Sequence, residues 1–315
     1  MHAYQSGQYA ASLAEFGTPR RLPGSGGWVL ERPIPGLDDR DAMGPYPLFA
    51  CGRWDRLAGD LAGLGDLVSL VLVADPFGEV DPATLGACFN RGAVPFKRHH
   101  VVELGPPVEA LAGPHHRRNA RKAFPLLAVE RVEAPARYRD DWVGLYEILV
   151  RRHQIRGIGA FSAGSFARLF EVPGLVAFRA EAGGATIGML LWMVQGDVAY
   201  YHLGAYDEAG YQRNASFALF WRSIEWFTGR VRWLDLGAGA GLVDEPGGLD
   251  RFKAGWATGT RTAYLCRHAC RPDRYEAIAR ARGAVDSSFF PAYRAGAAES
   301  APSPSPSPSP APSRR

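Results

Sequence analysis

The hydrophobic pattern in the second half of the chain predicts three strands joined by short turns. Residues 175–181, 186–194 and 198–205 are apolar runs rich in β-branched or aromatic side chains, and glycine-containing turns separate them. Turns this short connect antiparallel neighbours. A polar loop at 206–215 follows, and apolar residues at helical spacing then predict an amphipathic helix over 216–228.

The remaining hydrophobic runs predict the rest of the fold. Strands are expected at residues 28–30, 67–74, 100–104, 126–132, 231–236 and 260–266. Helices are expected at 115–123, at 142–150 with Asp140 or Asp141 as the N-cap, and at 162–170 with Ser162 as the N-cap. Hairpins that feed one crossover helix indicate an α/β protein with mixed, largely antiparallel sheets, not a doubly wound parallel sheet.

Composition narrows the function classes. The chain is 47% hydrophobic and 22% charged, as a soluble globular protein is, and its formal net charge of +4 suits an anionic ligand without indicating DNA. Its four cysteines show neither CxxC nor zinc-site spacing, so we expect no metal and a cytoplasmic location. We see neither a signal-peptide pattern nor an uncharged apolar run near the ~20 residues of a membrane helix.

The loop before the helix at 216–228 has the layout of an anion-binding strand–loop–helix. A helix N-terminus offers unpaired N–H groups and the positive end of the helix dipole. Arg213 can contact a phosphate, and Asn214 and Ser216 are candidate N-caps. The pattern alone also fits an ordinary capped helix after a surface loop.

His202 and Asp235 are the candidates for acid–base chemistry. Histidine can take a proton from an amine or hydroxyl nucleophile near neutral pH, and His202 lies on a predicted central strand. Asp235 lies on the next strand, where a buried carboxylate needs a partner, and Arg251 or Lys253 could supply one. The structural alternatives are a hydrogen-bonded core histidine and an Asp235–Lys253 ion pair without a catalytic role.

Two further groups of residues are candidate substrate contacts. Strict alternation along the strand at 198–205 places Tyr201 on the opposite face from His202, together with Leu203 and Ala205. Positive side chains recur at helical spacing over 115–123, and they are Arg117, Arg118, Arg121 and Lys122. A nucleotide-linked sugar, a lipid phosphate or tRNA would fit such a helix, and a merely solvated basic face is the alternative.

Three strings of the chain resemble the GNAT acetyltransferases, in particular their Fem-type branch. They are PHHRRNARKA at 114–123, YHLGAYDEAGYQRNASFALFWRSIEW at 201–226 and GLDRFKAGW at 248–256. The branch includes aminoacyltransferases of cell-wall synthesis. Its members usually pair two GNAT-like domains, so the resemblance implies a degenerate domain at 1–124, an acyltransferase domain at 125–297 and a disordered Ser/Pro tail at 298–315.

The resemblance also implies roles for individual residues. In GNAT enzymes an Arg/Gln-x-x-Gly-x-Gly/Ala loop wraps the pyrophosphate of acyl-CoA, and Arg213, Asn214, Ala215 and Ser216 stand at that place here. Both loop glycines are absent, a departure that Fem-type proteins share. The Phe-Lys signature of the branch matches Lys253, which would stabilise charge at the acyl or phosphate group.

A competing motif is the glycine-rich run at 235–241, which matches the first motif of Rossmann methyltransferases that bind S-adenosylmethionine. Such a fold needs a helix directly after the glycines and a further strand, but a loop is expected at 243–248. We therefore favour an acyltransferase that uses acetyl-CoA or another acyl-CoA and acts on an amine or hydroxyl of a small molecule or envelope precursor. An aminoacyl-tRNA donor is second, and a methyltransferase or a non-catalytic binding protein follows.

Overall fold

Eleven strands form one mixed sheet in the computed structural model, which describes residues 2–239 and 247–295. The strands are β1 (Thr18–Arg21), β2 (Trp28–Pro33), β3 (Arg40–Met43), β4 (Ser69–Val73), β5 (Ala93–Glu103), β6 (Ala128–Val132), β7 (Leu175–Ala182), β8 (Ala185–Gln195), β9 (Val198–Tyr206), β10 (Trp233–Gly237) and β11 (Gly259–Ala269). Their order across the sheet is β1-β2-β3-β4-β11-β5-β10-β9-β8-β7-β6. The predicted α/β class with mixed pairing is therefore confirmed.

Helices cover both faces of this sheet. They are α1 (Gly7–Ser12), α2 (Leu57–Ala62), α3 (Pro82–Cys88), α4 (Val108–Leu111), α5 (Pro114–Ala123), α6 (Arg139–His153), α7 (Ala163–Leu169), α8 (Glu208–Gln212), α9 (Ala215–Phe227), α10 (Gly248–Ala254) and α11 (Pro272–Ala281). Among the described helices, none is long and apolar enough to cross a membrane.

Strands β7, β8 and β9 form an antiparallel meander, as the hydrophobic pattern predicts. Ala177 pairs with Leu191 across β7 and β8, and Leu191 pairs with Leu203 across β8 and β9. This pairing differs from the parallel sheet that a Rossmann methyltransferase needs. Most of the loop predicted at 243–248 lies outside the described residues, and α10 begins at Gly248.

The crossover helix α9 connects two parallel neighbours, β9 and β10. Trp233 pairs with Val198, and Asp235 pairs with Tyr200. The other edge of β10 pairs with β5 in antiparallel register, so β10 is an inner strand. A polar side chain on an inner strand needs a partner, because burying it without one is costly. The carboxylate of Asp235 must therefore be paired.

The last strand, β11, lies among strands of the first half of the chain. It pairs with β4 through Cys266 and Leu72, and with β5 through Arg261 and His99. The sheet is therefore continuous across the predicted boundary between residues 124 and 125. The division into two tandem GNAT-like domains remains a prediction, as does the tail at 298–315, which lies outside the described residues.

Aromatic-rich cores pack on both faces of the second-half strands. On one face Tyr200 of β9 packs with Tyr4, which precedes α1. Trp142 of α6 and Phe166 of α7 belong to the same core. On the other face α9 and the residues around α10 pack on the sheet, with Trp192, Phe220 and Trp256 fully buried. Because both faces are covered, β8 reads as a continuous apolar run in the sequence.

Two local predictions need correction. Helix α6 begins at Arg139 after the N-cap Tyr138, so Asp140 and Asp141 lie in its first turn instead of capping it. There the carboxylates still face the positive end of the helix dipole. The loop predicted at 206–215 contains the short helix α8, whereas Ser162 caps α7 as predicted by accepting a hydrogen bond from Ser165 N.

A β-bulge at His202 changes which side chains share a face of β9. Leu191 pairs with Leu203 but Trp192 pairs with Tyr201, so His202 is the extra residue. The predicted alternation is therefore wrong beyond His202. Leu203 and Ala205 pack in the same core as Tyr200, and Tyr201 packs in the opposite one.

Candidate functional site

The candidate site lies where the parallel strands β9 and β10 stop pairing. Their ladder ends at Tyr200 and Asp235, although β9 continues to Tyr206 and β10 to Gly237. The edge of β9 beyond Tyr200 consequently has no ladder partner on the β10 side. We call this opening the β9–β10 gap, and an extended ligand with amide groups can pair with such an edge.

Lys253 of α10 points its ammonium group to the end of β10. Its Nζ donates to the carbonyl oxygen of Ala238 at 2.7 Å and lies 5.4 Å from the ring centre of Tyr201. Nζ is also 3.3 Å from where a Cβ on Gly237 would sit, and the left-handed φ of 71° at this position favours glycine. Burial lowers the pKa of Lys253 to about 8, and the attraction of Asp235 opposes that shift. The site thus holds a cation that binds its proton weakly.

Asp235 pairs with His99, and not with Lys253 or Arg251 as the sequence suggested. The two carboxylate oxygens lie 2.8 and 3.0 Å from His99 Nδ1, and Oδ1 also accepts the N–H of Gly237 at 2.7 Å. His99 is 7% exposed and Asp235 2% exposed. Asp235 and Lys253 thus form no direct ion pair, although the charge of Asp235 attracts the Lys253 ammonium group.

A second buried carboxylate, Asp75, lies close to this pair. It accepts hydrogen bonds from Tyr200 Oη at 2.8 Å, from Gln195 Nε2 at 3.1 Å and from the backbone N–H of Phe77 at 2.9 Å. Burial raises the pKa of Asp75 to about 6 despite the opposing hydrogen bonds, and the charge of Asp235 adds to the increase. The negative charge of Asp235 thus makes ionisation of Asp75 less favourable.

His202 lies in the aromatic core beside this cluster. Its Nδ1 is 3.1 Å from the hydroxyl of Tyr4, and the rings of Tyr9 and Phe161 lie within 6.4 Å of its ring. Burial lowers the pKa of His202 to about 3. The ring is therefore neutral at physiological pH and accepts a proton poorly, which fits the core-histidine alternative better than the role of a base.

The predicted cofactor loop sits at the start of α9. Asn214 occupies the N-cap position with left-handed backbone angles, and its side chain makes no capping hydrogen bond, contrary to expectation. Arg213 is half-buried with Nη1 3.4 Å from Ala209 O, Ala215 is buried and Ser216 is half-buried. No side chain caps the helix, and the N–H groups of Ala215 and Ser216 make no hydrogen bond with a described residue, whereas Phe217 N–H donates to Asn214 O. These two N–H groups are the candidates for contact with an anion.

Helix α5 joins the site through its buried residue His116. His116 Nε2 lies 2.8 Å from the carbonyl oxygen of Phe252, and its ring packs against Phe217 and Trp256. The predicted basic residues line a surface hollow of about 420 Å³ on the outer side of α5, and they are Arg117, Arg118, Arg121 and Lys122. Arg117 donates to Glu109 O, and the other three are exposed.

Sequence reasoning missed His99, Asp75, Tyr200 and Tyr4. His99 belongs to β5, whose predicted strand begins one residue later, and Asp75 directly follows the strand predicted at 67–74. A charged residue ending a buried apolar run was the available signal for Asp75. Within the described residues, no group of three His, Cys, Asp or Glu side chains is arranged to hold a metal ion.

Comparison with known proteins identifies the domain. Residues 115–253 match the family model of the acetyltransferase (GNAT) domain. No curated protein sequence matches the chain. The matched segment includes the β9–β10 gap, α9 and Lys253.

Solved structures of similar fold cover most of the chain. FemX has a TM-score of 0.64 at 13% identity, over 86% of this chain and 93% of that one. The C-terminal domain of a protein described as a lysylphosphatidylglycerol synthetase from Agrobacterium fabrum has a TM-score of 0.59 at 15% identity, over 88% and 94%. L-PGS from Bacillus licheniformis has a TM-score of 0.52 at 13% identity, over 89% and 98%. Residues 115–253 therefore match the GNAT domain, and the fold of most of the chain is similar to that of FemX.

Proposed function

We propose that this protein transfers an acyl group from an activated donor to an amine or hydroxyl acceptor. The observation that carries the proposal is the position of the buried Lys253 ammonium group at the inner end of the β9–β10 gap. Acyl transfer develops negative charge on the acyl oxygen, and a fixed cation in a buried site stabilises that charge more than water does.

An acyl-CoA, acetyl-CoA first, is the proposed donor. Its pantetheine amides would pair with the free edge of β9, and its phosphates would meet Arg213 and the uncapped start of α9. The acyl carbon would then lie near Lys253 and Tyr201. Support comes from the match of this segment to the GNAT domain.

Aminoacyl-tRNA is the second candidate donor, and one observation favours it. The exposed side chains Arg118, Arg121 and Lys122 form a basic surface on α5, which packs against α9 beside the gap. A polyanion would gain from such a surface. One of the similar folds is, by its name, the C-terminal domain of a lysylphosphatidylglycerol synthetase, which fits an aminoacyl donor and a lipid or envelope acceptor.

Donor binding tests this proposal. Calorimetric titration with acetyl-CoA, a long-chain acyl-CoA, alanyl-tRNA and S-adenosylmethionine should give binding to one of the first three and none to the last. Arg213→Ala should weaken acyl-CoA binding by about 1–3 kcal/mol, the range of a charge-assisted contact. Arg222→Ala is the matched control, because Arg222 is also on α9 but pairs with Glu225. Binding of S-adenosylmethionine alone would reject the proposal.

A further inference from the structure

The buried pair of His99 and Asp235 has the geometry of an oriented imidazole. An ionised carboxylate only accepts hydrogen bonds, so the contacts at 2.8 and 3.0 Å require His99 Nδ1 to carry the proton. His99 Nε2 then carries the lone pair. In general the second nitrogen's partner fixes the tautomer of a histidine, and a carboxylate partner also raises its basicity.

The carboxylate of Asp235 is itself held in place. Its Oδ1 accepts the backbone N–H of Gly237 at 2.7 Å, and Asp235 lies on an inner strand between β5 and β9. His99 Nε2, by contrast, makes no hydrogen bond with any described residue. The His99 side chain is 9% exposed, so part of its ring reaches the surface. One nitrogen is thus fixed and the other is available.

The pair stands at the inner end of the β9–β10 gap. Asp235 is the last β10 residue that pairs with β9, and Gly237 separates its carboxylate from Lys253 Nζ. A group bound in the gap next to Lys253 would therefore also be close to the pair of His99 and Asp235. This position distinguishes His99 from His202, whose Nδ1 is engaged by Tyr4 inside the aromatic core.

We propose that His99 is the general base of the acyl transfer, with Asp235 as its positioning residue; this inference rests on the function proposed above. His99 Nε2 takes the proton from the acceptor's amine or hydroxyl. The acceptor's lone pair forms a bond to the acyl carbon, and the bond from that carbon to the donor's leaving group breaks. The leaving group departs with its electron pair and receives the proton from His99 directly or through water.

Several charged or titratable groups face His99 and enter its pH dependence. Asp235 lies on β10, Asp75 follows β4 and Tyr200 lies on β9, and the charge of His99 stabilises the Asp75 carboxylate. Arg261 is the cross-strand neighbour on β11, Lys253 approaches from α10 and Lys97 lies on β5 itself. The surroundings of His99 therefore combine two carboxylates with three cations.

Steady-state kinetics of three variants test the assignment. His99→Gln should lower kcat by about 10²–10⁴-fold and remove the acidic limb of the pH–rate profile. His99→Ala should regain activity when free imidazole is added, which a purely structural histidine would not show. His202→Gln is the matched control and should retain the acidic limb. Each variant's melting temperature is measured alongside, so that unfolding is recognised.

The results separate this proposal from the proposed function. If the unmutated protein transfers acyl groups but His99→Gln keeps the full rate and the same pH profile, the base assignment is wrong and the function stands. If it transfers no acyl group from any donor tested, both are overturned. NMR of ¹⁵N-labelled histidine gives an independent readout: a proton on Nε2 of His99 in place of Nδ1 overturns the assignment, whereas the Nδ1–H form that Asp235→Asn disturbs supports it.

Discussion

At the scale of single residues, the burial of Lys253 lowers the stability of the folded protein, and its proposed role would explain why the residue is kept there. Its folded pKa of about 8 lies below the ordinary 10.5, so burial penalises the charged form. The penalty is present below about pH 8 and is relieved as the pH rises towards 10.5. It amounts to at most about 3 kcal/mol. Stability lost in this way is expected where a group serves catalysis.

We therefore expect Lys253→Met to abolish acyl transfer without loss of stability. At pH 7 the variant should be as stable as the unmutated protein or more stable, because Asp235 keeps His99 as its partner. The difference should shrink between pH 8 and 10.5. Urea unfolding of both proteins at several pH values checks this. A variant that is less stable by several kcal/mol at pH 7 would show that Lys253 neutralises a buried carboxylate.

Asp75 gives a prediction with the opposite pH dependence. Its folded pKa of about 6 lies above the ordinary 3.8, so ionisation opposes folding above about pH 6 and the penalty fades between pH 6 and 4. Asp75→Asn should be more stable than the parent at pH 8, by up to about 3 kcal/mol. The amide of the Asp75→Asn variant can still accept from Tyr200, and Gln195 Oε1, which has no partner among the described residues, can accept from it. Thermal unfolding at pH 8 and pH 4.5 should show the gain only at pH 8.

The sequence identified some of these residues and could not identify others. Asp235 and Lys253 stand out because a charged side chain within or beside an apolar run needs a physical reason. Their partners were not predictable, because the pairing of β5 with β10 joins residues 136 positions apart in the chain. Only the strand register brings His99 to Asp235, and periodicity within one strand contains no information about its neighbour.

At the scale of elements, α5, α9 and α10 pack closely around His116, and this packing requires a glycine at position 255. A Cβ on Gly255 would lie 1.9 Å from His116 Cε1, so the imidazole fills the space that any side chain would need. His116 in turn binds the carbonyl of Phe252, one residue before Lys253. The position of Lys253 thus depends on packing between helices that are far apart in the sequence.

Gly255→Ala should consequently destabilise the protein by about 1–3 kcal/mol and also lower the rate of transfer, because His116 and α10 must move. Gly144→Ala in α6 is the matched control. Nothing lies within 4 Å of a Cβ there, and alanine is the better helix former, so this variant should gain about 0.5–1 kcal/mol. Chemical denaturation and steady-state kinetics measure both effects. Equal stability of the two variants would contradict the packing argument.

Elements were predictable where local pattern decides them. The antiparallel meander and α9 follow from short glycine turns and helical spacing, whereas the bulge at His202 does not, since a single extra residue leaves the apolar run intact. The first-half strands β1 and β3 are only four residues long, and sequence periodicity cannot distinguish such segments from loops.

At the scale of the whole molecule, residues near the end of the described chain pack into the sheet formed by the first half of the chain. Strand β11 lies between β4 and β5, and Arg294 binds the buried carboxylate of Asp41 on β3 together with Arg32. The core on the Tyr4 side also mixes residues from both halves, including Trp142. The first half alone would thus expose two strand edges, a buried carboxylate and part of a hydrophobic core.

We accordingly expect residues 1–124 not to fold as an independent domain. Without β11, strands β4 and β5 lose the partner between them, and unpaired inner strands in water favour unfolding or aggregation. Circular dichroism and urea titration of separately produced fragments 1–124 and 125–297 should show an unfolded first fragment, which gains structure only when the second is added. The intact chain should unfold in one transition followed equally by tryptophan fluorescence and circular dichroism. Cooperative unfolding of fragment 1–124 alone would instead establish two autonomous domains.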